Sequence, residues 1–208
     1  MWTIQASAGR SWAVPSVTSC AIVAMVRAIR PDQWRLLRDI RLRALQDSPD
    51  AFLSSHVIEV GWDEGQWRAT VCAAHWFVAF VGNQAIGVAA ALRGPDTSTE
   101  PHVTSMWVDP EYRRRGVARQ LLTALGRQVA KDGWNGLLLW VLDGNDVARE
   151  AYSRMGFAFT GEHQPPLADS SRMEERMRRE LPHRGSAGRS AHASENLIGA
   201  ATVQPAAT

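Results

Sequence analysis

Cysteine is scarce in this chain of 208 residues: only Cys20 and Cys72 occur. Their spacing fits neither a metal-ligand pattern nor a disulfide framework, so no metal and a reducing, cytoplasmic setting are expected. Long apolar runs are missing too. No stretch reaches eighteen apolar residues, which gives no reason to expect a membrane partner. Val17-Thr18-Ser19-Cys20 superficially resembles a lipoprotein cleavage box. Arg10 and Pro15 interrupt the residues before it, however, and the apolar run follows Cys20, the reverse of a secretory signal. Charge of one sign is also lacking. With 23 Lys+Arg against 21 Asp+Glu the net charge is +2, too small to make nucleic acid the expected partner. Two familiar phosphate loops are absent as well. Neither Gly-Lys-Ser/Thr nor Gly-x-Gly-x-x-Gly occurs, which argues against a nucleoside-triphosphate P-loop and a dinucleotide fold.

What is present suits one folded domain with loose ends. The apolar content of 45% suffices for a core at this length. Residues 183–208 are rich in Ala, Ser, Gly and His and hold too few large apolar side chains to offset the entropy of ordering. Residues 1–20 show no clean periodicity, and 1–23 are expected to form a flexible extension, with Met25 as an alternative true start. The folded domain is expected over 24–182. Within it, 24–30 reads as a strand. Pro31-Asp32 then opens a helix carrying Trp34, Leu37, Ile40, Ala44 and Leu45 on one side. A second helical stretch follows at 63–72. Gly82-Asn83 marks a hairpin between 76–81 and 85–92. Residues 103–108 form a short strand and 116–131 an amphipathic helix. The apolar run 136–142 suits a strand buried on both faces. A helix at 146–155, a strand at 157–162 and a last strand at 172–179 complete the order. Helix propensity alone would favour a helix in that last segment. This succession predicts an α/β (α+β) domain with a mixed sheet.

Two segments carry the chemistry. Arg113-Arg114-Arg115-Gly116-Val117-Ala118-Arg119 opens the amphipathic helix. A first helical turn leaves about four N–H groups unpaired and presents a partial positive charge. Glycine permits a strained turn and close approach by a ligand, and nearby arginines add charge-assisted bonds. Those are the requirements for seating a pyrophosphate. The bland alternative is a solvated arginine run. About thirty residues on, Asn145 or Asp146 can cap a helix that presents Ala148 and Tyr152 on one face and ends at Gly156.

Val-x-Pro-x-Tyr-Arg-x-x-Gly-x-Ala at 108–118, followed by Asn-x-x-Ala-x-x-x-Tyr-x-x-x-Gly-Phe at 145–157, resembles the GCN5-related N-acetyltransferase (GNAT) superfamily. The resemblance implies a mixed, mostly antiparallel central sheet of six to seven strands flanked by about four helices. It implies a bulge in the strand before the basic loop, which splays that strand from its neighbour. The pantetheine arm of acetyl-CoA would lie in the opening, against Met106, Trp107 and Val108. Amides from Arg114 through Arg115, Gly116, Val117 and Ala118 to Arg119 would hold the pyrophosphate. Arg113 takes the motif's first position, where its backbone counts for more than its charge. Asn145 would contact the pantetheine or a nearby water.

By the same resemblance Tyr152 protonates the departing thiolate. The acceptor would be a primary amine on a small molecule or a protein, and the enzyme a monomer or homodimer. An alkyl amine with a pKa near 10.4 is only about one part in a few thousand neutral at pH 7, so a base or selective binding of the neutral form is needed. His102 is the first candidate base, Glu100 the second, with Ser105 as a relay through water. The Val108 N–H is the candidate oxyanion donor. Asp63 and Glu64 are expected near the acceptor entrance. Trp62, Trp67, Trp76 and Trp107 suit either an aromatic acceptor pocket or the core. The alternative function is an acyl-CoA-binding regulatory module without turnover.

Overall fold

The computed structural model describes residues 21–49, 52, 54–92, 100–166 and 172–182. The expected tail at 183–208 and most of the expected N-terminal extension lie outside that set. The extension meets the fold by Ile22. Its backbone N–H donates to the Arg115 carbonyl, and the Gln120 side chain bonds both Ile22 and Ala24.

Among the described residues seven strands form one sheet: β1 (Met25–Ala28), β2 (Ala74–Val81), β3 (Gln84–Leu92), β4 (His102–Val108), β5 (Gly136–Leu142), β6 (Ala158–Gln164) and β7 (Glu174–Glu180). Their order is β1-β2-β3-β4-β5-β7-β6. Every neighbouring pair is antiparallel except β4 with β5. Among the described residues five α-helices accompany them: α1 (Trp34–Asp47), α2 (His56–Glu59), α3 (Glu64–Ala73), α4 (Val117–Lys131) and α5 (Asp146–Arg154). The short α2 carries no periodic signal and escapes the sequence reading.

Apolar alternation along the strands sorts the core into two layers. On one face α4 buries Val117, Leu121, Leu122, Leu125 and Val129 against Ala89, Val103, Leu137, Leu139 and Met177. α5 adds Ala148 and Tyr152 at the margin, and Met155 follows just after its end. On the other face α1 and α3 bury Trp34, Leu37, Ile40, Ala44, Trp67 and Val71 against Val78, Val88, Ala90 and Trp107. The i, i+3, i+4 spacing of those residues makes each helix one-sided. Trp67, Trp76 and Trp107 therefore belong to the core, and half-buried Trp62 packs on Trp67 at 5.1 Å. The aromatic acceptor pocket that these four could have formed gives way to core packing.

β5 lies between β4 and β7, and its apolar run is almost wholly buried. Full pairing with β5 makes β7 a strand despite its helix-favouring composition.

Candidate active site

Two local irregularities shape the centre of the sheet. On β3, Val88 pairs with Trp107 and Ala90 with Thr104, so Ser105 and Met106 together oppose Ala89. That extra residue is a β-bulge, and Ser105 adopts φ 55°, the left-handed region. Beside it, β4 and β5 share a single register pair, His102 with Leu138, next to the Leu138 N–H bond to the Pro101 carbonyl at 2.9 Å. Beyond that point the two parallel strands diverge, leaving backbone of β4 facing a gap. Asp109 N–H donates to the Ile86 carbonyl at 2.9 Å. Antiparallel alternation then turns the Val108 N–H away from β3 and toward the β5 side.

At the top of the gap Asp109-Pro110 turns the chain into the basic loop. Arg114 has φ 60°, and Gly116 has φ 84° as the residue that opens α4. No side chain caps that helix start. The first-turn amides of Val117, Ala118 and Arg119 point out of the helix end. At Gly116 the left-handed backbone favours glycine itself. The arginines divide their tasks. The Arg113 guanidinium is held by the Asp47 carboxylate and by the Val108 carbonyl, so it acts as a strut rather than a free cation. Arg115 is half-buried, its guanidinium 5.9 Å from the centre of the Tyr112 ring. Arg119 reaches the Arg154 carbonyl at 3.4 Å.

On the flank of the gap, α5 is capped by Asn145, whose side-chain oxygen accepts from Ala148 N–H at 3.2 Å. Tyr152 meets Phe157 edge-on at 5.8 Å. Desolvation pushes the Tyr152 phenol up to about 12, so it keeps its proton through the neutral range. Met106, Val108 and Tyr152 all border the α4-side core.

His102 and Glu100 separate clearly. Both Glu100 oxygens accept from the Arg178 guanidinium at 2.7 Å. The carboxylate lies so close over Gly136 that a Cβ there would come within 2.0 Å of Oε1. Glu100 is thus built into an ion pair at the start of β5. His102 alternates with core-facing Val103 and so lies on the opposite face of the sheet. Burial, with the charge of Arg176, holds its pKa below the usual histidine value, while Glu100 opposes this. A neutral imidazole at pH 7 follows, able to accept a proton.

An open cleft of about 500 Å³ lies between the end of α1 and the β5–α5 turn, lined by Asp47, Ser48, Leu142, Asp143, Asn145 and Arg172 among others. Asp63 and Glu64 serve α3 instead. Asp63 accepts from Gln66 N–H at 2.8 Å as its cap, and Glu64 pairs with Arg68. Ser105 accepts from Arg41, a residue that sequence reasoning missed. Asp143, His163 and Glu175 bring one potential ligand atom each within 4.8 Å of one another, but the Arg149 guanidinium already spans the two carboxylates.

A splayed parallel pair, a bulge and an uncapped helix start define the fold of an acyl transferase that holds an extended, phosphate-bearing donor. A family model for the acetyltransferase (GNAT) family matches residues 34–157. YafP of Escherichia coli (strain K12), described as an uncharacterized N-acetyltransferase, is 26% identical over 135 residues, 64% of this chain and 79% of its own. Solved structures agree in fold. A GNAT-family acetyltransferase from Streptococcus pneumoniae superposes with TM-score 0.65 at 14% identity, over 77% of this chain and all of its own. YncA of Salmonella typhimurium, solved with its cofactor acetyl-CoA, gives 0.59 at 15% identity, over 84% of this chain and 99% of its own. The chain belongs to the GNAT acetyltransferase family and is an acetyl-CoA-dependent acyltransferase. Among the described residues, no helix is long and apolar enough to cross a membrane.

Proposed function

We propose that the chain transfers the acetyl group of acetyl-CoA to a primary amine by direct attack. The observation that carries this reading is the bulge at Ser105–Met106, which opens β4 from β5 next to the uncapped start of α4. In this reading the pantetheine arm lies along the backbone of Met106, Trp107 and Val108. Only their backbone and the Met106 side chain serve, because the Trp107 ring is buried on the other face. The pyrophosphate rests on amides between Arg114 and Arg119, with Arg113 holding the loop from behind. Asn145 offers its amide NH2 to the arm, since its oxygen is engaged by the helix cap.

The amine loses its proton to His102, directly or through water, and its lone pair attacks the thioester carbonyl. The new C–N bond pushes negative charge onto the oxygen, where the outward-facing Val108 N–H donates. The oxyanion then re-forms the carbonyl as the C–S bond breaks, and the second proton of the attacking nitrogen passes to water or to the departing thiolate. Tyr152 donates a hydrogen bond to the departing sulfur. Its pKa of about 12 makes full transfer to a solvated thiolate uphill. A thiolate desolvated in the same pocket is also a stronger base, which narrows that gap. Glu100 is assigned no proton transfer here, because Arg178 holds both its oxygens.

Release of free coenzyme A from acetyl-CoA, followed across a panel of amines, tests the proposal. Turnover with at least one amine supports it. Saturable acetyl-CoA binding with no thiol release by any amine would favour the regulatory module instead.

A further inference from the structure

We infer that Arg41 is a positioning residue for the donor slot: paired with Glu59, it holds Ser105 in the left-handed conformation that makes the β4 bulge. The inference rests on the reading that acetyl-CoA occupies the gap beside that bulge.

Arg41 stands in the middle of α1, on the stripe where its neighbours Ile40, Ala44 and Leu45 are buried, and is itself 8% exposed. Glu59 on α2 is 2% exposed. The two meet fork to fork, with Arg41 Nε to Oε2 at 3.0 Å and Nη2 to Oε1 at 2.7 Å. The Phe52 ring covers the guanidinium, its centre 4.6 Å away. This geometry leaves Nη1 aimed at β4, where it donates to Ser105 Oγ at 3.0 Å. A buried ion pair of this kind contributes little net stability compared with well-packed apolar side chains, so its direction matters more than its strength. Here the direction is toward a serine with φ 55°.

A non-glycine residue in that region is strained and persists only where its surroundings hold it. The Arg41 bond supplies that hold on the side chain itself. Two more α1 side chains extend the grip along the same stretch. Arg43 pairs with Asp109 at the turn, and Asp47 pairs with Arg113 at the basic loop. The anchored residues are 105, 109 and 113, so one helix fixes the bulge, the turn and the loop that would together seat the donor. Arg41 grips the one residue of the three that adopts a left-handed backbone.

Two substitutions separate strain from contact. Ser105→Ala removes the hydroxyl and keeps the strain of a side chain at positive φ. Ser105→Gly removes the same hydroxyl and relieves the strain. Calorimetric titration with acetyl-CoA should show Ser105→Ala weakening binding about tenfold, as the slot-competent population falls, and Ser105→Gly recovering most of that loss. The double variant Arg41→Met/Glu59→Met leaves no unpaired buried charge. It should match Ser105→Ala, and adding Ser105→Gly should bring affinity back. A pair that served only general stability would give no such rescue.

Hydrogen exchange at the amides of 104–107, without ligand, should rank the variants in the same order. That readout stands even if the wild-type chain fails to bind acetyl-CoA, an outcome that would overturn the functional reading alone. If the double variant does not fold, the Ala and Gly variants decide. Equal affinity and exchange for Ser105→Ala and wild type, or equal impairment of Ser105→Ala and Ser105→Gly, would overturn the inference.

Discussion

Trp107 donates its indole N–H to the Asp47 carboxylate at 2.9 Å, joining the last turn of α1 to the strand that carries the bulge. Desolvation opposes the charge on Asp47. Bonds from Trp107, Ser48 and Arg113 outweigh it and hold the carboxyl below the usual carboxylate range. Trp107→Phe keeps most of the buried ring and removes this donor. A loss of about 1–2 kcal/mol is expected near neutral pH, measured by urea unfolding. Because the folded pKa is depressed, this contribution is present above the unfolded value near 4. It fades as pH falls through the folded one, so the two proteins should converge in acid.

Tyr152→Phe should lower turnover by about 10²-fold while acetyl-CoA affinity stays near wild type, since only the hydroxyl is lost and the contact with Phe157 remains. Equal activity would remove Tyr152 from the mechanism. In the wild type the raised phenol pKa contributes stability that is complete below pH ~10 and is lost as pH rises through about 12. Alkaline melts of wild type and Tyr152→Phe should therefore diverge only above pH ~10.

His102 sets the acid limb in this reading. Its pKa lies below the usual 6.5 because burial disfavours the cation. A profile of kcat/KM should therefore stay level as pH falls past 6.5 and drop only below it. His102→Gln should lose rate and the limb together. Stability follows the same sign. Below about pH 6.5 the unfolded chain takes up a proton that the folded chain resists, so folding weakens as pH falls. His102→Gln should lessen that weakening.

Glu100→Gln breaks the two-bond pair with Arg178, which is partly exposed. A cost of about 1–2 kcal/mol is expected, between the surface and fully buried limits. The acid limb of the rate profile should remain. Its disappearance in this variant rather than in His102→Gln would reverse the two roles.

Much of this architecture can be read from the residue order because local and tertiary preferences agree there. α4 carries Val117, Leu121, Leu125 and Val129 at steps of four, and all four are buried. β5 is an almost unbroken apolar run because strands flank it on both sides, and its Leu137, Leu139 and Val141 face the α4-side core. The bulge could be anticipated only through the family resemblance, since nothing in Thr104-Ser105-Met106 requires a left-handed serine. Arg41 was illegible for a different reason. A charged residue within an amphipathic helix reads as solvated. Its partner Glu59 lies 18 residues away on a helix of one turn. The four tryptophans fit either core or pocket, and only the packing of α1 and α3 on the sheet decides between them. For β7, pairing with β5 overrides a sequence that favours a helix.

Titration of purified protein with acetyl-CoA by calorimetry, beside Gly116→Asp, is the most direct measurement. The substitution puts a strained side chain and a negative charge at the uncapped start of α4, where the diphosphate would rest. Saturable binding by the wild type and none by a folded Gly116→Asp variant is the expected result. Binding of equal strength by both proteins would contradict the placement of the donor at that helix.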